Sequence, residues 1–336
     1  MPALPADTAT LADGVLAAER TALARAITLV ESTRADHRAR ALELLERLGG
    51  QAHDTIRVGI SGAPGVGKST FIEAFGLHIV NAGLRLAVLT VDPSSSLSGG
   101  SILGDKTRME RLSRDPRAFI RPSPAGTSLG GVARRTRDCV AVLEAAGHDV
   151  VLVETVGVGQ SETAVAAMTD LFMLLLAPGG GDELQGIKRG IMELADLVLV
   201  NKADGELEPA AKRTAAQYAN ALRLLRPHQS GWQPAVLTCS ALKAQGIDDV
   251  WAAVGRYRDA MRTSGEHTAR RVRQARAALH DELTQGVLDT LAANEVARTQ
   301  MARAEADVIA GNLSPSAAAS RVLSVLLGGA GDAETQ

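Results

Sequence analysis

The stretch GISGAPGVGKST, residues 59–70, decides how this chain is read. Gly62, Gly67, Lys68 and Ser69 satisfy the spacing G-x-x-x-x-G-K-[ST], with the apolar run IRVGIS (56–61) before it and TFIEAFGLHIV (70–80) reading as a helix after it. Glycine lets successive backbone N–H groups turn inward around a phosphate, and the following helix presents its positive end. Lys68 supplies a mobile positive charge and the Ser69 hydroxyl can ligate Mg²⁺. Gly62, Ala63, Pro64, Gly65, Val66, Gly67, Lys68, Ser69 and Thr70 are therefore the expected phosphate-binding segment.

Downstream, short apolar runs alternate with helix-like segments: LAVLTV (86–91), DVVLVE (149–154), LFMLLL (171–176), LVLVN (197–201) and AVLTC (235–239). With IRVGIS they make six expected strands, each too short for a helix and rich in Val and Leu, as strands buried on both faces are. The fold class this implies is α/β: a P-loop NTPase with a mostly parallel sheet covered by helices. Helical extensions flank it. Leu23, Ile27 and Val30, then Ala41, Leu44, Leu45 and Leu48, repeat at helical spacing before a closing Gly49-Gly50. Past residue 262 the strand signal ends. Val272, Leu279, Leu283, Val287 and Leu291 form an apolar line interrupted by Arg276, and Ser314-Pro315 opens a last helix. The expected organisation is a helical segment at 1–55, a nucleotide-binding domain at 56–262 and a helical segment at 263–330. The long helix can pack on its own domain or serve as a dimerisation arm, and its pattern suits both.

Composition narrows the partners. Of 336 residues, 46% are apolar but only 2% aromatic, so the core is built from aliphatic side chains. A net charge of -2 lacks the basic footprint that nucleic acid or an anionic membrane surface requires. Cys139 and Cys239 are the only cysteines, which excludes a disulfide framework and disfavours a zinc site. The longest apolar run, LFMLLLAP (171–178), is too short to cross a bilayer, and MPALPADTATLADG has no signal-peptide pattern. A cytoplasmic protein is expected. His78 and His148 sit in GLHIV and AGHDV, at helix-packing and helix-end positions rather than ligand positions.

Asn201, Lys202 and Asp204 in LVLVNKADG follow a buried strand as N-K-x-D. A carboxylate at Asp204 can accept from both the ring imide and the exocyclic amine of guanine, whereas adenine would leave it facing a lone pair. Lys202 is expected along the base plane, with Asn201 bracing the loop. The CSAL run after the next strand, with Ser240, Ala241 and Leu242, is expected to offer the Ala241 N–H to the guanine carbonyl. GTP and GDP are the expected ligands. Asp92, Asp105 and Glu154 are candidates, with Ser69, for Mg²⁺ and hydrolysis; capping a following helix is the alternative for such acids. Gly157, three residues after Glu154, resembles the glycine whose N–H senses a γ-phosphate. Val158 stands where a water-orienting glutamine is usual and Gln160 is displaced by two, so slow unaided hydrolysis is expected.

GAPGVGKST, VDPSSS…GGSILGDKTRM, FIRPSP, TSLGG, VLVETVGVGQSE, GDELQGIK and NKAD, in this order, resemble the MeaB/ArgK family of GTPases that chaperone methylmalonyl-CoA mutase. The resemblance runs from about residue 15 to 328. It implies a homodimeric G protein that guards the mutase, or a related cobalamin-dependent acyl-CoA mutase, and gates delivery of adenosylcobalamin. It implies a first switch with Asp92 and Asp105, a second from Glu154 to Glu162, and a third in which Asp182, Gln185 and Lys188 report the nucleotide state to the mutase. Read from residues alone, that third loop is a glycine-rich solvated connection. Three rivals stand beside this reading. A metal-insertion GTPase of the hydrogenase or urease maturation type would carry clustered Cys and His. A transport-associated kinase would use ATP, against which Asp204 argues. A scaffold would bind nucleotide only to fold.

Overall fold

The computed structural model describes residues 7–50, 53–92, 109–124, 129–155, 161–179, 189–224 and 232–328. Three helices lead: α1 (Thr8–Leu16), α2 (Arg20–Val30) and α3 (Ala35–Leu48). Asp7 caps α1 by accepting from the Ala9 and Thr10 amides. Strand β1 (Ile56–Gly62) then runs into helix α4 (Lys68–Asn81). The chain continues through β2 (Leu86–Asp92), α5 (Glu110–Arg114), β3 (Ala118–Pro124), α6 (Leu129–Ala145) and β4 (Val150–Thr155). Next come α7 (Ser161–Ala166), β5 (Leu171–Leu176), α8 (Arg189–Leu194) and β6 (Leu197–Val200). Helix α9 (Glu208–Leu224), β7 (Ala235–Thr238) and α10 (Ile247–Thr263) complete the α/β part, followed by α11 (Glu266–Ala293), α12 (Glu295–Ile309) and α13 (Pro315–Gly328).

The seven strands form one sheet in the order β3-β2-β4-β1-β5-β6-β7, and every pairing is parallel. Six are the runs anticipated from hydrophobicity. The seventh, β3, is an addition: Arg121, Pro122 and Pro124 break its apolar run. An edge position explains the tolerance, because a proline that cannot donate is harmless on the unpaired side.

Because side chains alternate across a strand, the sheet splits its apolar residues between two faces. Val58, Ile60, Leu152, Met173 and Leu175 join Phe71 and Phe75 of α4, Leu112 of α5 and Val250 and Tyr257 of α10. Val151, Val153, Phe172 and Leu174 join Cys139 and Leu143 of α6 and the inner faces of α1, α2 and α3. The leading helices thus share a core with the sheet. Rings are few: Phe71 stacks on Phe75 at 5.2 Å, and Trp251 of α10 meets Phe75 edge-on at 5.9 Å.

The strand starts are closed by ion pairs between buried aspartates and half-buried arginines. Asp170 and Asp196, just before β5 and β6, accept from the backbone amides of Arg57 and Phe172 at 2.8 and 2.9 Å. Arg271, in the first turns of α11, forks onto Asp170 at 2.5 and 2.6 Å, and Arg270 reaches Asp196 at 3.2 Å. The compact unit holding the sheet accordingly extends to Gln274. A second unit, residues 275–336, is organised by itself around Ala304, Ala318 and Val322, with Leu291, Val308 and Leu313 against them. In it Asn294 caps α12 through the Ala297 amide at 2.9 Å, and the Ser314 hydroxyl accepts from the Ala317 amide at 3.3 Å ahead of α13. Leu279, Leu283 and Val287 of α11 are exposed. Among the described residues no helix is long and apolar enough to cross a membrane.

His148, past the end of α6, is buried, and its Nδ1 lies 2.9 Å from the Leu143 carbonyl. Burial, opposed by that hydrogen bond, lowers its pKa to about 4 from the ordinary 6.5. The unfolded chain therefore takes up a proton below pH 6.5 that the native ring refuses until about pH 4, so its stabilising share is complete above pH 6.5 and lost as pH falls through that window. Urea unfolding at pH 7.5 and 5 should show wild type losing roughly 2 kcal/mol more than His148→Gln, from a pKa depression worth about 1.4 kcal/mol per unit.

Candidate functional site

In an all-parallel sheet the strand C-termini lie along one edge, and the chain leaving β1 crosses over β4 to reach β2 while β5, β6 and β7 follow on the other side of β1. A ligand site belongs at that reversal. Gly62 ends β1, Asp92 ends β2, Glu154 is next to last in β4, Asn201 follows β6 and Ser240 lies just beyond β7.

The loop from β1 to α4 has the conformation its glycines permit. Gly65 and Gly67 have φ of 83° and 90°, values a side chain opposes. A Cβ at Gly67 would also lie 2.8 Å from Asn201 Nδ2, and one at Gly62 would lie 2.4 Å from the Leu175 carbonyl oxygen. Lys68 Nζ donates to the carbonyls of Gly62 at 2.7 Å and Ala63 at 3.3 Å. Burial pushes its pKa below the usual lysine value, while the carboxylates of Glu154 and Glu162 pull the other way. Both are buried, so the ammonium sits in a pocket of opposite charge.

The base loop is tied directly to this phosphate loop. Asn201, 1% exposed, donates from Nδ2 to the Val66 carbonyl at 2.9 Å and accepts at Oδ1 from the Ala241 amide at 3.0 Å. Lys202, at φ 59°, donates to the Gly65 carbonyl at 2.7 Å. Asp204 Oδ1 accepts from the Ser240 hydroxyl at 2.6 Å, and the same hydroxyl accepts from the Lys243 amide at 3.2 Å. Ser240 is held further by a two-bond bridge to Gln245, 3.0 Å each way.

The Ala241 N–H, expected to serve the guanine carbonyl, donates to Asn201 Oδ1 at 3.0 Å. Leu242, its neighbour, is largely exposed. The structure thus brings together Gly62 through Thr70, Glu154, Asn201, Lys202, Asp204 and Ser240 at one edge. Asp92 is there by backbone position. Asp105, Gly157, Asp182, Gln185 and Lys188 lie outside the described residues. Gln245 and Lys243, which organise Ser240, carry no sequence signal beyond following it.

A phosphate loop on β1 and an N-K-x-D loop on β6, fastened to each other along the carboxyl edge of a parallel sheet, define a P-loop GTPase that binds guanine nucleotide. The chain belongs to the family described as methylmalonyl-CoA mutase-associated GTPase MeaB, whose model matches residues 23–296. A probable GTPase of Mycobacterium tuberculosis is 51% identical, covering 94% of this chain and 94% of its own. GTPase ArgK of Escherichia coli is 50% identical over 82% of this chain and 84% of its own. The mitochondrial methylmalonic aciduria type A homolog of Mus musculus is 48% identical over 92% and 77%. The crystal structure of an LAO/AO transport system kinase, 38% identical, covers 95% of this chain and 97% of its own with a TM-score of 0.74.

Asn201→Ala leaves the Val66 carbonyl and the Ala241 amide without their partner, at about 1–3 kcal/mol for each group kept from water. Thermal melting should drop by several degrees and stopped-flow GDP release should quicken at least tenfold. Asp204→Asn should keep the fold and reduce the preference for GTP over ATP by tenfold or more in competition binding; an unchanged preference would remove Asp204 from base recognition.

Proposed function

We propose that this GTPase is a nucleotide-switched chaperone of methylmalonyl-CoA mutase or a related cobalamin-dependent acyl-CoA mutase, gating adenosylcobalamin loading and protecting the mutase from inactivation. The observation that carries the reading is the match over residues 23–296 to a mutase-associated family, in a chain whose phosphate and base loops are fastened by Asn201.

Mg²⁺ would be held by the Ser69 hydroxyl with Asp92, Asp105 and Glu154. The donors fit by their chemistry: they are hard oxygens, the kind Mg²⁺ takes. Mg²⁺ usually keeps waters and phosphate oxygens beside one or two carboxylates. When bound it neutralises charge that develops on the β- and γ-oxygens. The Lys68 ammonium would offset the same charge, and α4, which begins at Lys68 after the Gly67 cap, would offer its first amides to the phosphates. Asp92, Asp105 and the Gly157 amide would be held in one arrangement by the intact triphosphate and released on cleavage, with Asp182, Gln185 and Lys188 passing the difference to the mutase. GTP biases the partner only by its unequal affinity for the two states. The exposed apolar line of α11, Leu279, Leu283 and Val287, supports the homodimer.

The LAO/AO transport system kinase favours a second reading, a transport-associated kinase, which requires ATP. Steady-state turnover separates the two. With GTP and purified cobalamin mutase the rate should rise by about tenfold or more, within the range over which a partner completes a GTPase site. Equal GTP turnover with and without mutase would overturn the chaperone reading, and turnover faster with ATP would favour the kinase.

A further inference from the structure

The chain leaving β7 closes on itself before α10 begins. Ser240 and Gln245 exchange both main-chain hydrogen bonds at 3.0 Å, so the segment between them is a small loop shut at its neck. Inside it the Lys243 amide donates to the Ser240 hydroxyl oxygen at 3.2 Å. With Lys243 on that oxygen, the single hydroxyl proton goes to Asp204 Oδ1 at 2.6 Å, since an ionised carboxylate only accepts. Asp204 precedes the 3₁₀ turn Gly205–Leu207 yet its side chain caps none of that turn's amides, so the carboxylate is held by the loop instead. Two backbone features keep the neck shut. Ala244 has φ of 52°, a left-handed conformation that a side chain resists and that persists where the surroundings over-determine it. Gly246 has φ of 71°, and a Cβ there would lie 2.8 Å from the carbonyl oxygen of Thr238, the last residue of β7. Gly246 also stands at the N-cap of α10, and a glycine there gives up the side-chain cap that serine or aspartate makes. What it provides is the space and the backbone angle that let the chain turn back beneath β7.

We propose that Gly246, with the loop it closes, sets the preference for guanine by aiming the Asp204 carboxylate. The inference rests on the reading of Asp204 as the acceptor for the base. With Oδ1 fixed on Ser240, the carboxylate cannot turn, and its remaining lone pairs keep one direction for the ring imide and the exocyclic amine of guanine. A carboxylate free to turn would lose that freedom on each binding event, which weakens the bonds it makes. Gly246 is thus a positioning residue that acts through Ser240. It governs discrimination between bases and not the grip on the phosphates.

Full-length wild type, Gly246→Ala, Lys243→Pro and Asp204→Ala should be compared by competition of GDP and of inosine diphosphate against a fluorescent GDP at saturating Mg²⁺. Inosine lacks the exocyclic amine of guanosine and shares the rest, so the ratio of the two affinities reads the base acceptor alone. Gly246→Ala should lower the preference for GDP about fivefold, part of the roughly ten- to hundredfold that a hydrogen bond to a charged group contributes. Lys243→Pro removes, at an exposed turn, the amide that fixes the Ser240 hydroxyl. It should lower the ratio likewise, and it carries the comparison if the Gly246 variant does not fold. A merely loosened fold would weaken both nucleotides alike and leave the ratio unchanged. If Asp204→Ala lowers the ratio and neither loop variant does, the positioning role is overturned and the base reading stands. If Asp204→Ala leaves the ratio unchanged, the base reading falls and the role of Gly246 with it.

Discussion

The carboxamide of Asn201 joins the two halves of the nucleotide site. Its donor goes to Val66 in the phosphate loop and its acceptor takes the Ala241 amide beyond β7, both inside the protein where no water competes. A side chain with one donor group and one acceptor, back to back, suits this position, and an aspartate or leucine of similar size would not satisfy both. The absence of a Cβ at Gly67 allows the approach, since Nδ2 occupies the space such an atom would need. Phosphate loop and base loop therefore form one piece, and a purine nucleotide bound at one end is measured from the other.

That piece rests on a sheet treated differently at its two edges. Along the carboxyl edge the loops carry glycine, lysine and acids at the nucleotide site. Along the opposite edge, the buried Asp170 and Asp196 and the half-buried Arg57, Arg270 and Arg271 are spent on one another and on strand amides. Such pairs add little net stability compared with apolar substitutes, but removing one partner strands a charge in the interior. Their consequence is geometric: the first turns of α11 are stapled to the starts of β5 and β6. The strands whose far ends lead to the base loop and to residue 177 onward are thus held from behind.

The sheet and the phosphate loop were legible because their signals are local. Six apolar runs and one glycine pattern need no knowledge of distant residues. Strand β3 was hidden by Arg121 and two prolines, which an edge accepts and a local reading penalises. The bond from the Ala241 amide to Asn201 was silent for the opposite reason: its partner is forty positions away, and a side-chain to main-chain bond across two strands leaves no periodicity. The membership of Arg270, Arg271 and Gln274 in the first compact unit was equally silent, since α11 looks uniform along its length and only burial of Asp170 and Asp196 distinguishes its beginning.

The scarcity of rings has an optical consequence. There are two indoles in the chain, and one of them, Trp251, touches Phe75 two turns along the helix that Lys68 begins. Trp232 is anchored elsewhere, with its Nε1 donating to the Asp196 carbonyl and Tyr257 edge-on at 5.1 Å. With one emitter beside the helix that receives the phosphates and the other on the far rim as an internal standard, ultraviolet emission offers an unlabelled readout of occupancy in the native polypeptide.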